Sequence, residues 1–90
     1  MTDPDAFLAA FDALPEGTFR GIAAGRQYVV SKTGFAGGRS QKLVAHELGG
    51  TDYISLNLYR TGRQAHLRPC EMPERKVVDF VLGLQTVAAP

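Results

Sequence analysis

The chain has 90 residues, a formal net charge of +1 and one cysteine, Cys70. This length predicts one small domain, residues 1–90, and a single cysteine excludes a disulfide within the chain. No apolar run approaches the roughly 20 residues of a membrane helix and no signal-peptide pattern opens the chain, so we expect a cytoplasmic protein with no membrane contact.

The first predicted element is a helix over residues 4–14. Asp3 is a suitable N-cap, and Pro4 fits the first helical position because its missing N–H has no partner there. Pro15 then ends the helix. The apolar residues at helical spacing are Phe7, Leu8, Phe11 and Leu14.

Five short strands follow, separated by glycine-containing turns. Gly49-Gly50 predicts a two-residue hairpin turn, since both glycines accept a positive φ. Connections this short cannot make a parallel crossover, so neighbouring strands are predicted to be antiparallel. The predicted strands cover residues 18–24, 27–33, 41–48, 52–60 and 64–68.

The strand over residues 52–60 has the clearest alternation, which is typical of a strand with one buried face. The residues predicted to point inward are Ile54, Leu56 and Leu58. Those predicted to point outward are Tyr53, Ser55, Asn57 and Tyr59. By the same alternation, the next strand places Leu67 inward and both His66 and Arg68 outward.

A helix over residues 73–85 is the last predicted element, with Pro73 at its first position and the residues from Thr86 onward frayed. We therefore predict an α+β fold, in which a five-stranded antiparallel meander carries both helices on one face. The opposite face is left for water, a ligand or a second copy of the chain.

Charge is segregated along the chain. Residues 17–70 contain eight basic residues and two acids, a net +6, whereas the first sixteen residues carry −4 and those after Cys70 carry −1. The basic stretch is also the strand-rich one, so we expect a positive sheet surface. Tyrosine rings beside guanidinium groups bind single-stranded nucleic acid by stacking on bases and contacting phosphates. The plainer interpretation is cross-strand packing by the tyrosines and solvated basic side chains.

These arguments define the predicted binding residues. From the outward set and its basic neighbours we take Tyr53, Ser55, Asn57, Tyr59, Arg60, His66 and Arg68. The glycine-rich segment 34–40 adds Arg39, because its consecutive amides and this side chain suit an anion. A flexible hairpin loop is the simpler interpretation of that segment. Phe35 within it either packs into the core or contacts a partner.

Catalytic and metal chemistry have little support in the sequence. Zinc sites use four ligands, normally with close cysteine pairs, so we predict no metal and no cofactor. A thiol-dependent enzyme that uses Cys70 is a less favoured alternative, since nothing in the spacing selects a partner from His46 and His66. Only two acids, Glu47 and Asp52, lie between residues 17 and 70, which argues against catalysis by paired carboxylates.

In order of elements, residues 27–85 resemble the single-stranded-DNA-binding transcriptional coactivators. The residues that carry the resemblance are Tyr53-Ile54-Ser55-Leu56-Asn57 and the basic residues before them. The resemblance implies a curved antiparallel sheet with a C-terminal helix, a basic open face and a dimer, and no individual binding residue is transferred from it. From the net +6 of the strand region and the outward Tyr53 and Tyr59, we expect a non-catalytic binding module for single-stranded nucleic acid or another polyanion. A self-association or protein-interaction module, such as a homodimer, is the alternative.

Overall fold

The computed structural model describes residues 4–87, which form two α-helices and an antiparallel sheet. The predicted α+β class is therefore confirmed, and the predicted N-cap Asp3 lies outside the described residues. No helix in residues 4–87 is long and apolar enough to cross a membrane. The elements in order are α1 (Pro4–Ala13), β1 (Gly17–Ala23), β2 (Arg26–Phe35), β3 (Ser40–Glu47), β4 (Tyr53–Thr61), β5 (Gln64–Pro69), α2 (Glu74–Gly83) and β6 (Gln85–Thr86).

The sheet in the described chain has six strands, in the order β5-β4-β3-β2-β1-β6. The prediction of a five-stranded meander is therefore wrong, because the last strand crosses from α2 to the far edge of the sheet. There Ile22 of β1 pairs with Gln85, and the amide of Val87 donates to the carbonyl of Arg20 at 2.9 Å. The fifth strand, β5, ends at Pro69 and lies at the other edge of the sheet.

The C-terminal boundary differs from the prediction for the same reason. The helix ends at Gly83, because Leu84 is extended (φ −72°, ψ 128°) and leads into β6 rather than continuing to residue 85. Gly21 of β1 allows the segment at Leu84 to pack closely against it, since a Cβ at position 21 would lie 2.5 Å from the Leu84 Cδ1 atom. Thr86 is paired in the sheet and is not frayed. Pro73 precedes the first turn, and its carbonyl accepts from the Lys76 amide at 3.0 Å.

Both helices pack on one face of the sheet and share one apolar core. The alternation predicted for β4 is confirmed, since its three inward residues are no more than 2% exposed. The rings of Phe7 and Phe11 stack on α1 with centroids 6.0 Å apart, and the Tyr28 ring meets Phe80 of α2 edge to face. The fully buried core residues include Phe11, Val30, Leu43, Leu56, Leu58, Val77 and Val81.

Two connections are unlike those predicted. β2 and β3 stay paired as far as Phe35 and Ser40, so the predicted loop over residues 34–40 shrinks to residues 36–39. The β3–β4 connection covers residues 48–52 rather than two residues, and the Glu47 amide closes it by donating to the Asp52 carbonyl at 2.9 Å. Of the two glycines in it, Gly49 alone has a positive φ (75°).

Candidate functional site

The sheet face turned away from the helices carries side chains in rows that cross several strands. We call this surface the open face. Each row joins directly paired residues of neighbouring strands, and the rows lie two residues apart along each strand. The rows are Arg20–Val29–His46–Tyr53, Thr18–Ser31–Val44–Ser55, Thr33–Lys42–Asn57–Arg68 and Phe35–Ser40–Tyr59–His66.

Aromatic rings lie at both ends of the open face. Tyr53 is 40% exposed at one end, and at the other Phe35 and Tyr59 are 58% and 41% exposed. The two tyrosines are six positions apart along β4, which places them about 20 Å from each other. His66 is the direct cross-strand partner of Tyr59. The sequence left two alternatives for Phe35, packing into the core or contact with a partner. The structure places its side chain in an exposed position on the open face.

Three cations occupy the open face, namely Arg20, Lys42 and Arg68, and all three are exposed. Among residues 4–87 none of them forms an ion pair. Lys42 and Arg68 share a row with Asn57 between them, so their backbones lie two strand spacings, about 10 Å, apart. No described strand residue that points to this face is an acid, and the positive charge is therefore not neutralised within the sheet.

The remaining basic residues of β2 and β4 lie on the helix-covered side. Arg60 follows the inward residues of β4 in the alternation, and its guanidinium forms an ion pair with Asp12 of α1. Although it was predicted as a binding residue, Arg60 is therefore not part of the open face. Lys32 is 3% exposed under α1, where its ammonium donates to backbone carbonyls. Two of the basic residues counted in the net +6, Lys32 and Arg60, therefore contact the α1 segment and do not lie on the open face.

The other predicted residues are distributed as follows. Ser55, Asn57, Tyr59, His66 and Arg68 lie on the open face together with Tyr53. Arg39 lies in the β2–β3 connection at the end of the sheet, and its carbonyl accepts from the Arg60 amide at 2.7 Å.

Cys70 follows β5 and is held by its neighbours on the open face. The Asn57 side-chain amide donates to its Sγ atom at 3.4 Å, and the Cys70 backbone amide donates to the carbonyl of Ser55 at 3.0 Å. The Nε2 atom of His66 lies 3.2 Å from the Thr61 hydroxyl. In the described chain no hydrogen bond joins the thiol to an imidazole, and no group of three metal-ligating side chains is present.

Sequence reasoning missed the buried position of Lys32. Its ammonium donates to the carbonyls of Phe11 (2.7 Å) and Leu14 (2.9 Å) at the end of α1. Burial lowers the pKa of this ammonium below its usual value. The signal was present in the alternation of β2, because Tyr28, Val30 and Lys32 are two residues apart and share one side.

A second polar group lies at the end of the helix-covered side, and we call it the Asp52 cluster: Arg26, Glu47, Asp52, Lys76 and Tyr28. The Asp52 carboxylate accepts from Lys76 at 2.7 Å and from the Tyr28 hydroxyl at 2.8 Å. Those two hydrogen bonds lower the pKa of Asp52, whereas burial, followed by the bond to Asp52, raises the pKa of Tyr28. Arg26 lies 4.0 Å from both Glu47 and Asp52.

Comparisons of the chain with family models, curated proteins and solved structures found no match. The resemblance to single-stranded-DNA-binding coactivators therefore rests on the order of elements alone. Any functional inference has to come from the chemistry of the chain's own surfaces.

Proposed function

We propose that this protein is a non-catalytic module that binds single-stranded nucleic acid on the open face of its sheet, in the cytoplasm. One observation carries the proposal: within residues 4–87, three cations that form no ion pair share this face with exposed aromatic rings, and no strand carboxylate points to it. Cations attract the phosphates, and rings receive the bases. The acids of residues 17–70 lie in the Asp52 cluster, where they do not oppose a polyanion on the open face.

The geometry favours a single strand over a duplex. An aromatic side chain can stack only on a base that is unpaired and unstacked from its neighbours, and the bases of a duplex are already paired and stacked. Tyr59 with His66 at one end and Tyr53 at the other provide separate stacking positions, and Lys42 and Arg68 lie between them. A strand that follows β4 would place phosphates over these two cations while bases contact the rings.

The test is a titration of a fluorescently labelled single-stranded oligonucleotide, followed by anisotropy over a series of salt concentrations. We expect Lys42→Gln and Arg68→Gln each to weaken binding and to reduce the salt slope by about 0.7, the value for one phosphate contact with a single strand. Arg60→Gln removes the same charge from the helix-covered side and should leave the slope unchanged. Equal slopes in all three variants and the wild type would contradict the proposal, as would absence of binding at low salt.

The contribution of base stacking to the binding free energy can be measured separately from that of the cations. We expect Tyr59→Ala to cost about 1–3 kcal/mol of binding free energy while the salt slope stays as in the wild type. Tyr59→Phe is the matched control, because it keeps the ring and removes only the hydroxyl. A duplex of the same sequence should bind more weakly than the single strand. If Tyr59→Ala binds as the wild type does, stacking on this ring is excluded.

Self-association on the open face is the second candidate. Exposed Ile22 and Phe35 and the half-buried Val29 and Val44 give this face apolar surface that a second copy would cover. The three cations oppose a face-to-face dimer, since each would meet like charge across the interface. Sedimentation at high protein concentration without nucleic acid tests this candidate: a monomer excludes it, and a dimer disrupted by Phe35→Ser supports it.

A further inference from the structure

β5 lies at one edge of the sheet, and half of its backbone groups point away from β4. The Cys70 amide donates to the Ser55 carbonyl of β4 at 3.0 Å. Because backbone groups alternate in direction along an antiparallel strand, those of residues 64, 66 and 68 also point to β4. The N–H and C=O groups of Ala65 and Leu67 therefore point outward, and no strand of the described chain pairs with them. Residues 64–67 include no lysine, arginine, acid or proline, the residues that commonly block pairing at an exposed edge.

A cavity of about 250 Å³ opens along this edge, on the side of the sheet that the helices cover. Ala65 and Leu67 line it together with Leu58 of β4. Leu8 of α1 and Val78 of α2 line it from the helix layer. The volume is below the range of sites that hold a whole drug-sized ligand, and it suits individual side chains. The outward backbone groups and the apolar cavity thus belong to the same two residues of β5.

We propose that β5 binds an extended segment of a partner protein as an added antiparallel strand, with apolar side chains in the cavity and an acidic side chain beside Arg68. In strand addition, backbone hydrogen bonds provide affinity and alternate side chains provide specificity. The partner residues directly opposite Leu67 and Ala65 exchange both backbone hydrogen bonds with them, and their side chains face the cavity. The segment therefore reads acid, apolar, any residue, apolar, beginning opposite Arg68.

Charge at the edge defines the acidic position. Arg68 is exposed on the open face and forms no ion pair within residues 4–87. Opposite charges directly across two strands attract, so an acid opposite Arg68 is favoured. Glu74 lines the cavity on the other side of the sheet, where a partner carboxylate would meet like charge. The partner segment is therefore acidic towards the open face and apolar towards the helices.

A second copy of the chain is a poorer match for this edge. Antiparallel pairing of two β5 strands about His66 would place Gln64 opposite Arg68 and each His66 opposite the other. No acid would meet Arg68 in that arrangement. The inference goes beyond the proposed function, with which it shares Arg68, and it is carried by the edge and the cavity whether or not the protein binds nucleic acid.

The probe is the peptide acetyl-Thr-Asp-Leu-Thr-Leu-Thr-amide, titrated at millimolar concentration into the uniformly ¹⁵N-labelled protein and followed by NMR. We expect shifts of the Ala65 and Leu67 amides and of the Val78 amide beside the cavity. Hydrogen exchange then tests for the added strand. At a free peptide concentration about ten times Kd, the Ala65 and Leu67 amides should exchange about tenfold more slowly, because they donate to the peptide when it is bound.

Two N-methylated peptides test the backbone hydrogen bonds. Methylation of both leucine nitrogens removes the two N–H donors that point to β5 and should weaken binding at least about fivefold. Methylation of the aspartate and of the central threonine removes N–H groups that point away from β5, so this matched control should keep the affinity of the parent peptide. A peptide with serine in place of both leucines should bind far more weakly, because it leaves the cavity unfilled.

Three variants of the protein locate the site. Ala65→Pro removes an outward N–H without a loss from the ladder with β4 and should weaken binding about fivefold or more. Arg68→Glu should weaken binding of the aspartate peptide and favour a peptide with lysine in place of aspartate. Arg20→Glu, on β1 and four strands away, is the matched charge control and should leave both affinities unchanged.

The inference is overturned if the peptide shifts no amide of β5, or if the two methylated peptides lose the same affinity. Tighter binding of the lysine peptide than of the aspartate peptide by the wild type would also overturn it. So would a dimer in sedimentation that Ala65→Pro dissociates, because a second copy would then occupy the edge. These results leave the oligonucleotide titration unaffected, and the proposed function stands or fails separately.

Discussion

Lys32 joins the end of α1 to the sheet, and its replacement tests how the helix layer is held. Its ammonium donates to two carbonyls of the α1 end and lies 4.6 Å from the centroid of the Phe11 ring. The side chain is 3% exposed, so water has little access to these groups. Removal of the ammonium takes this donor from the Leu14 carbonyl and leaves the Phe11 carbonyl with the Leu14 amide, which donates to it at 3.1 Å.

These contacts determine how much the replacement of Lys32 should lower the free energy of unfolding. A hydrogen bond from a charged group contributes about 1.5–3 kcal/mol, and burial of the charge offsets part of two such bonds. We therefore expect Lys32→Met, which keeps the aliphatic part of the side chain, to lower the free energy of unfolding by about 1–3 kcal/mol. Lys32→Ala also leaves a cavity and should lower it by about 3–5 kcal/mol, a large share of the stability of a small domain.

Urea denaturation followed by circular dichroism measures these differences. The control is Lys42→Met, because Lys42 is exposed on the open face and its loss should change stability by less than about 0.5 kcal/mol. The reasoning is refuted if Lys32→Met is as stable as the wild type or more so. That result would mean that burying the charge costs more than the two hydrogen bonds contribute.

The pH dependence provides an independent check on Lys32. Its pKa in the folded protein lies below the usual 10.5, because burial disfavours the charged form. Between the folded pKa and 10.5 the unfolded chain binds more protons than the folded one, so this residue makes stability rise with pH in that window. Lys32→Met should lose the rise, and an unchanged pH profile would show that Lys32 titrates as it does in the unfolded chain.

Three further predictions concern the Asp52 cluster and the β6 contact. Asp52→Asn should cost about 1–2 kcal/mol at neutral pH, where partial exposure screens the ion pair, and Asp79→Asn should cost little. The pKa of Asp52 is held below its usual 3.8, so its stabilising contribution is present above pH 3.8 and is lost as the pH falls through the pKa of the folded protein. A stability difference between the wild type and Asp52→Asn that persists in acid would contradict this prediction. Tyr28, whose pKa is raised above 10.0, makes stability fall as the pH rises above 10.0, and Tyr28→Phe should remove that fall in alkaline urea titrations. Gly21→Ala should lower the free energy of unfolding by about 1–3 kcal/mol because a Cβ there meets the segment before β6, whereas Gly83→Ala should be neutral or stabilising; equal effects would exclude the close contact.

Local patterns in the sequence predicted much of the fold. The alternation of β4 identified its buried side, because a strand with one covered face selects apolar residues at every second position. The same alternation correctly placed Tyr53, Tyr59 and Arg68 on the other side. Short connections between strands made antiparallel neighbours the only arrangement that the chain length allows.

Contacts between residues distant in sequence decided the rest. β6 and the early end of α2 depend on Gly21, more than sixty residues away, which leaves room for the segment at Leu84. Periodicity within the last helix contains no information about that contact.

The electrostatic character of the open face was also decided by the tertiary structure. The sequence by itself determined that the strand region is basic, with a net +6 over residues 17–70. Which of those charges remain available depends on where α1 packs, since it takes Lys32 under its last turn and pairs Asp12 with Arg60. Lys42 and Arg68 lie on the face that neither α1 nor α2 covers and keep their charge exposed, because the interaction of two charges is set by their distance in the folded chain and not by their separation in sequence.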